Sequence, residues 1–264
     1  LNALHLFWQI IQQLVILILW PEAAWFYTNF LSLYWISAMI IWPILWLIFP
    51  MVSELITKKD IKKLQTLFNF FYTYFLVFAF FLAIFLMALW PEVALVLFGK
   101  KFILSWKMVA LWALFTIANI FVGFNFSVLA WSWKIKERVK ILFITALITV
   151  VLSIIWMYSL WVYGAVLTLW IGETMLFILS FKLIYKDIKF GVDRRFIIKN
   201  LFLGSLLWLF LRMIKSKIFI NDDLMRLSNL WKLILIGLGF FVVFGLFNFK
   251  KALVLKWEIK KLRN

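Results

Sequence analysis

Glu173 is the residue of this chain best placed to do chemistry, an acid about midway along an apolar run at 162–185. A charge at the centre of a bilayer costs roughly 2.5–3.5 kcal/mol on insertion scales, so its presence points to a function. It would bind a proton or a cation, or contact a substrate; the alternative is a protonated Glu hydrogen-bonded to a neighbouring helix. The first run carries a second set of polar groups. His5, Gln9 and Gln13 recur every fourth residue, with Gln12 beside them, and that spacing puts the three on one helix face. Amides within a span face a bundle interior or a wet cavity. Asn119 and Asn125 in the fourth run are of the same kind and either join helices or contact a ligand. Lys107 lies about one turn into that run, where its ammonium can snorkel outward. Asp222 and Asp223 follow Asn221 in what looks like a solvated turn rather than a divalent-ion site.

These groups do not make a catalytic constellation. Cysteine is absent and histidine occurs once, which excludes a Cys–His pair and leaves any Ser-His-Asp arrangement resting on His5. A glycine-rich phosphate loop is missing as well. The expectation is a protein that is not an enzyme, with no catalytic residues, metal site or cofactor.

The elements that must position the polar groups are eight apolar runs, at 4–20, 25–49, 67–90, 103–130, 139–160, 162–185, 197–214 and 230–249. A spanning helix needs about 20 apolar residues, and in lipid a backbone must satisfy its own hydrogen bonds, so each run should be helical. The fold class expected is all-α integral membrane, with about eight transmembrane helices. Of the 264 residues 67% are hydrophobic, well above the 45–50% or so of soluble domains. The net charge of +17 is concentrated in the gaps 51–66, 132–140 and 182–200 and in the tail after 249. Such placement fits orientation signals and contacts with anionic lipid headgroups, not a nucleic-acid surface. By the positive-inside rule the basic gaps and the C-terminus are cytoplasmic, giving a multi-pass protein of the plasma (inner) membrane.

Within the gaps, leucines and isoleucines of 53–66 recur at helical spacing opposite the lysines, predicting a short helix on the inner surface. Pro43 should kink the second helix, which is expected to end at Pro50. The segment from Pro91 predicts another short helix ended by Gly99. Helices five and six are expected to join by a tight turn near Trp161–Gly164, and the charged stretch 182–200 is the best linker. This predicts two parts, 1–186 and 187–264.

The run Phe49-Pro50-Met51-Val52-Ser53-Glu54-Leu55, with Asp60 and Leu64 before the next span, resembles a segment of bacterial polysaccharide flippases. These belong to the multidrug/oligosaccharidyl-lipid/polysaccharide exporter superfamily. Leu97-Phe98-Gly99-Lys100-Lys101-Phe102 is similar to that family's outer loop, and Leu129-Ala130 and Gly164-Ala165 fall at similar stations. The resemblance covers about residues 15–185. It implies that residues 1–186 are the second six-helix lobe and 187–264 the extra helix pair of a fourteen-helix transporter, whose N-terminal lobe is missing here. It implies alternating access that moves a lipid-diphosphate-linked oligosaccharide across the membrane. The first helix of each lobe lines the cavity in that family, which makes Gln9, Gln12 and Gln13 substrate-cavity candidates together with Asn119 and Asn125. One alternative is a cation-coupled multidrug exporter of the same superfamily, with Glu173 as the coupling carboxylate. Another is a non-transporting membrane scaffold or a decayed half-gene.

The chain departs from the family pattern at its tryptophans. Trp25, Trp131 or Trp133, and Trp161 stand where the resemblance implies glycine. Trp20 and Trp90 each precede a proline at a helix end, a place that suits glycine. The chain has 17 Trp and 9 Gly, although glycine averages about 7% of residues. Several of these indoles, such as Trp46, Trp112 and Trp208, are expected to be buried, where they would push helices apart. Some bacteria read the UGA codon as glycine, and such a gene translated with a table that reads UGA as tryptophan would produce this pattern; the alternative is a natural aromatic-rich membrane protein whose tryptophans are interfacial anchors.

Overall fold

A computed structural model describes residues 2–98, 106–131, 134–218 and 226–263, and these fold into helices joined by short turns. The helices are α1 (Asn2–Leu19), α2 (Pro21–Thr57), α3 (Ile61–Phe98), α4 (Trp106–Trp131), α5 (Ile135–Leu160), α6 (Val162–Asp187), α7 (Arg194–Ile218) and α8 (Arg226–Arg263). Among the described residues, five stretches are long and apolar enough to cross a membrane: Ile61–Leu89, Ile135–Leu160, Val162–Asp187, Arg194–Met213 and Ser228–Asn248. The described parts of α1, α2 and α4 add the shorter apolar stretches Gln9–Leu19, Ile48–Thr57 and Phe115–Ala130. The chain is an all-α, multi-pass membrane protein.

Two connections differ from the sequence expectation. The separate surface helix over 53–66 does not form. Instead α2 runs through Pro43 and Pro50 to Thr57, and Lys59 in the left-handed region (φ 54°) turns the chain. Asp60 then caps α3, its side chain accepting from the Lys63 N–H at 3.0 Å. The helical spacing in that segment belongs to the end of one helix and the start of the next. The helix after Pro91 exists but is joined to α3 across a kink at Leu89 (φ −112°, ψ 16°). Proline lacks the N–H that would continue the ladder, which accounts for a bend here. Gly99 lies outside the described residues.

The chain divides into two compact units, Leu1–Ala83 with Ser105–Ile198, and Ile84–Leu104 with Lys199–Asn264. In the first, α6 packs against both α4 and α5. Lipid provides little hydrophobic drive between helices, so close packing and interhelical hydrogen bonds must hold them. The sequence meets that need with small residues. The buried face of α5 is Thr145, Thr149, Ser153 and Met157, and that of α6 includes Gly164, Thr168 and Gly172, each series stepping by four.

Aromatic rings fill the seam between α3 and α4. Phe71 stacks on Phe124 with centroids 3.6 Å apart, and Tyr72 stacks on Phe121 at 5.2 Å. The linker after α6 closes this cluster. Phe190 stacks on Tyr72 at 4.4 Å, while the Gly191 and Asp193 N–H groups donate to Asn69 Oδ1 (2.6 Å) and Thr73 Oγ1 (3.1 Å). Lys134 at the start of α5 pairs with Asp187 at the end of α6. The expected linker is therefore a pinned strap rather than a loose tether.

In the second unit, Phe85 of α3 rests on Gly237 and Phe240 of α8, the ring centroids of the two phenylalanines lying 5.6 Å apart. The buried amides of Asn200 and Asn248 exchange hydrogen bonds of 3.2 and 2.8 Å, joining α7 to α8.

The tryptophans do not lie where the sequence suggested. Among the residues whose side chains are described, no tryptophan is buried; Trp46 is 67% exposed and Trp208 half-buried. Trp112 lies outside that set. Among the described residues the α5–α6 and α3–α4 seams are filled by small residues and phenylalanine instead.

Candidate functional site

Two groups of polar side chains stand out, one open and one closed. The open group lies on α1 and α2. Gln9 and Gln13 are exposed on the same face of α1, as their spacing predicts. Gln12, half-buried, donates from Nε2 to Thr28 Oγ1 of α2 at 3.2 Å. Thr28 in turn donates to the Ala24 carbonyl at 2.8 Å, and Ser32 to the Thr28 carbonyl at 3.0 Å, both hydroxyls on the exposed side of α2. Gln12 and Thr28 lie equally far along the chain from the turn at Trp20, so at 1.5 Å per residue the strip sits about 12 Å down the helices. The Thr28 and Ser32 hydroxyls are engaged with carbonyls of their own helix, and because an amide both donates and accepts, the glutamines of the exposed strip can bond water or a polar ligand as well.

The closed group is the seam between α4 and α6. Asn125, fully buried, accepts from the Tyr72 hydroxyl and donates from Nδ2 to Ser180 Oγ at 3.0 Å. The Ser180 hydroxyl in turn donates to the Phe177 carbonyl at 3.1 Å. This lower rung ties α3, α4 and α6 together and leaves Asn125 engaged between helices. Two turns earlier on the same face of α6 stands Glu173, 1% exposed. The side chain of Asn119 approaches it from α4, yet neither carboxylate oxygen has a partner of good hydrogen-bond geometry among the described residues. The upper rung is thus an acid enclosed by protein, with the Asn119 side chain beside it.

The sequence-predicted residues therefore separate into two places. Gln9, Gln12 and Gln13 share the open strip, while Asn119, Asn125 and Glu173 share the closed seam. The side chains of His5 and Lys107, and Asp222 with Asp223, lie outside the described residues. Thr28 and Ser32 were missed, although their four-residue spacing in the second run matches that of the glutamines. Tyr72 and Ser180 were missed because single hydroxyls inside apolar runs carry no pattern. Among the described residues, no group of three or more His, Cys, Asp or Glu side chains could hold a metal ion. No protein-family model matches the chain, and no curated protein matches it.

Proposed function

We propose that this chain is the second six-helix lobe, with an extra helix pair, of a fourteen-helix flippase for a lipid-diphosphate-linked oligosaccharide. It works in the plasma (inner) membrane by alternating access, with the basic turns and the C-terminus in the cytoplasm. The observation that supports this reading best is the exposed strip of Gln9, Gln12, Gln13, Thr28 and Ser32. An otherwise apolar helix pair that presents amides outward suits a wet surface. A cavity shared with an N-terminal lobe supplies one. Glutamines suit sugar hydroxyls because each amide both donates and accepts, and the polyprenyl tail stays in lipid. The cations that meet the diphosphate come from the missing lobe in this account. The substrate is moved without a covalent step, so the work lies in exposing the strip to one leaflet and then the other.

A second reading has its own support. Glu173, enclosed and without a well-formed hydrogen bond, suits a cation-coupled exporter of drugs in which protonation and substrate binding compete. Transport by the complete protein in proteoliposomes separates the two. Under the flippase reading, replacing Gln12 and Gln13 together by Leu lowers glycolipid flux about tenfold or more, the equivalent of about 1.4 kcal/mol. Glu173→Gln leaves that flux within about twofold. Loss of gradient-driven drug efflux in Glu173→Gln, with no glycolipid flux in the parent protein, favours the exporter instead.

A further inference from the structure

The backbone at two tryptophans carries information that composition alone does not. Trp20, at the turn between α1 and α2, has φ 86° and ψ 157°. Trp161, at the turn between α5 and α6, has φ 54° and ψ −137°. Both have positive φ with strongly extended ψ, outside the small left-handed helical well that other L-residues reach. Trp20 lies in a region populated essentially by glycine alone, because a Cβ collides with the flanking carbonyls. A bulky residue held in such a region is a genuine outlier.

The distribution of these conformations is inverted in this chain. Positive φ occurs at three described non-glycine residues, Trp20, Lys59 and Trp161, although only 17 of the 264 residues are Trp. The glycines at 123, 164, 191, 237, 239 and 245 all have ordinary φ. Positions that need glycine's freedom thus hold tryptophan, while these glycines do not use that freedom. The indoles are not buried at the turns either: Trp20 is 78% exposed and Trp161 47% exposed, the latter with its ring centroid 6.2 Å from that of Phe26. Trp25, by contrast, lies inside α2, where nothing in the backbone requires glycine.

We infer that residues 20 and 161 are glycines in the protein as its own cells make it, each encoded by UGA and written as tryptophan by the wrong codon table. Both α1–α2 and α5–α6 then join through a glycine turn, the usual solution for a chain that must reverse within a residue or two. The inference is independent of what the protein transports.

Mass spectrometry of the protein purified from its native cells tests it directly, with the gene's codons as the second measurement. Peptides spanning 17–25 and 158–166 are expected to carry a glycine mass at positions 20 and 161, and both codons are expected to read UGA. A consequence follows for expression: the unaltered gene in a host that stops at UGA yields no chain beyond residue 19. A tryptophan mass at either position, or UGG at either codon, overturns the inference.

Discussion

Gly164→Ala is expected to destabilise the first unit by about 3 kcal/mol or more, and Gly164→Val to prevent its assembly. A Cβ on Gly164 would lie 2.2 Å from the Trp156 carbonyl oxygen, 2.4 Å from its carbon and 2.9 Å from the Met157 nitrogen. These are backbone atoms of α5, one turn before the reversal at Trp161, so no side chain can swing aside to make room. Overpacking of a core by added methylenes costs about 1–3 kcal/mol where side chains can shift, and here the helices themselves must separate. The cost spreads beyond the turn, because the small residues Thr145, Thr149 and Ser153 of α5 and Thr168 and Gly172 of α6 lie along the two helices leading into it. Thermal unfolding of purified protein in detergent measures the effect. Gly239→Ala and Gly245→Ala serve as controls, since a Cβ there has no neighbour within 4 Å. Both should be neutral or stabilising by up to about 1 kcal/mol, the helix preference of alanine over glycine. Equal effects at 164 and 239 would contradict the close approach of α5 and α6.

The second large effect is expected at Asn125. Asn125→Leu removes the acceptor of the Tyr72 hydroxyl and the donor to Ser180 in one change. Both partners are buried, and a buried polar group left without a bond costs about 1–3 kcal/mol. Interhelical hydrogen bonds in membranes reach only about 1.7 kcal/mol at most, because the unfolded state in lipid also finds partners. Together these bounds place the loss near 2–4 kcal/mol, read as a lower unfolding midpoint. Tyr72→Phe should cost less, since it leaves Asn125 its bond to Ser180 and keeps the ring in the aromatic cluster with Phe121 and Phe190. A variant Asn125→Leu as stable as the parent would show that the seam is held by packing alone.

How much of this was legible beforehand depended on periodicity. Runs of apolar residues between basic gaps predict helices because lipid leaves the backbone no alternative, and the helices are found. The glutamine face of α1 was legible for the same reason: four-residue spacing maps directly onto a helical surface. Boundaries were harder. The amphipathic spacing of 53–66 gave no hint that Lys59 would adopt positive φ and split it between α2 and α3. The strap at 188–193 was invisible, because its anchors Asn69 and Thr73 lie more than a hundred residues away in sequence. The seam partners Tyr72, Asn125 and Ser180 come from three helices, so their convergence is a tertiary fact. The tryptophans were legible as an anomaly, but among the described side chains none is buried in the core, and their information lies in the backbone at 20 and 161.

A flippase needs the polar strip of α1 and α2 to face water rather than lipid. Because the chain has no cysteine, a single Gln13→Cys substitution places a thiol on that strip without background from the rest of the chain. A charged, membrane-impermeant thiol reagent applied to membranes holding the complete protein is expected to label residue 13. Leu147→Cys, on the exposed apolar side of α5 midway along that helix, should stay unlabelled. Labelling at 13 and not at 147 is the result a transport cavity predicts. If residue 13 is as inert as residue 147, the strip lies against lipid or protein and the flippase account fails.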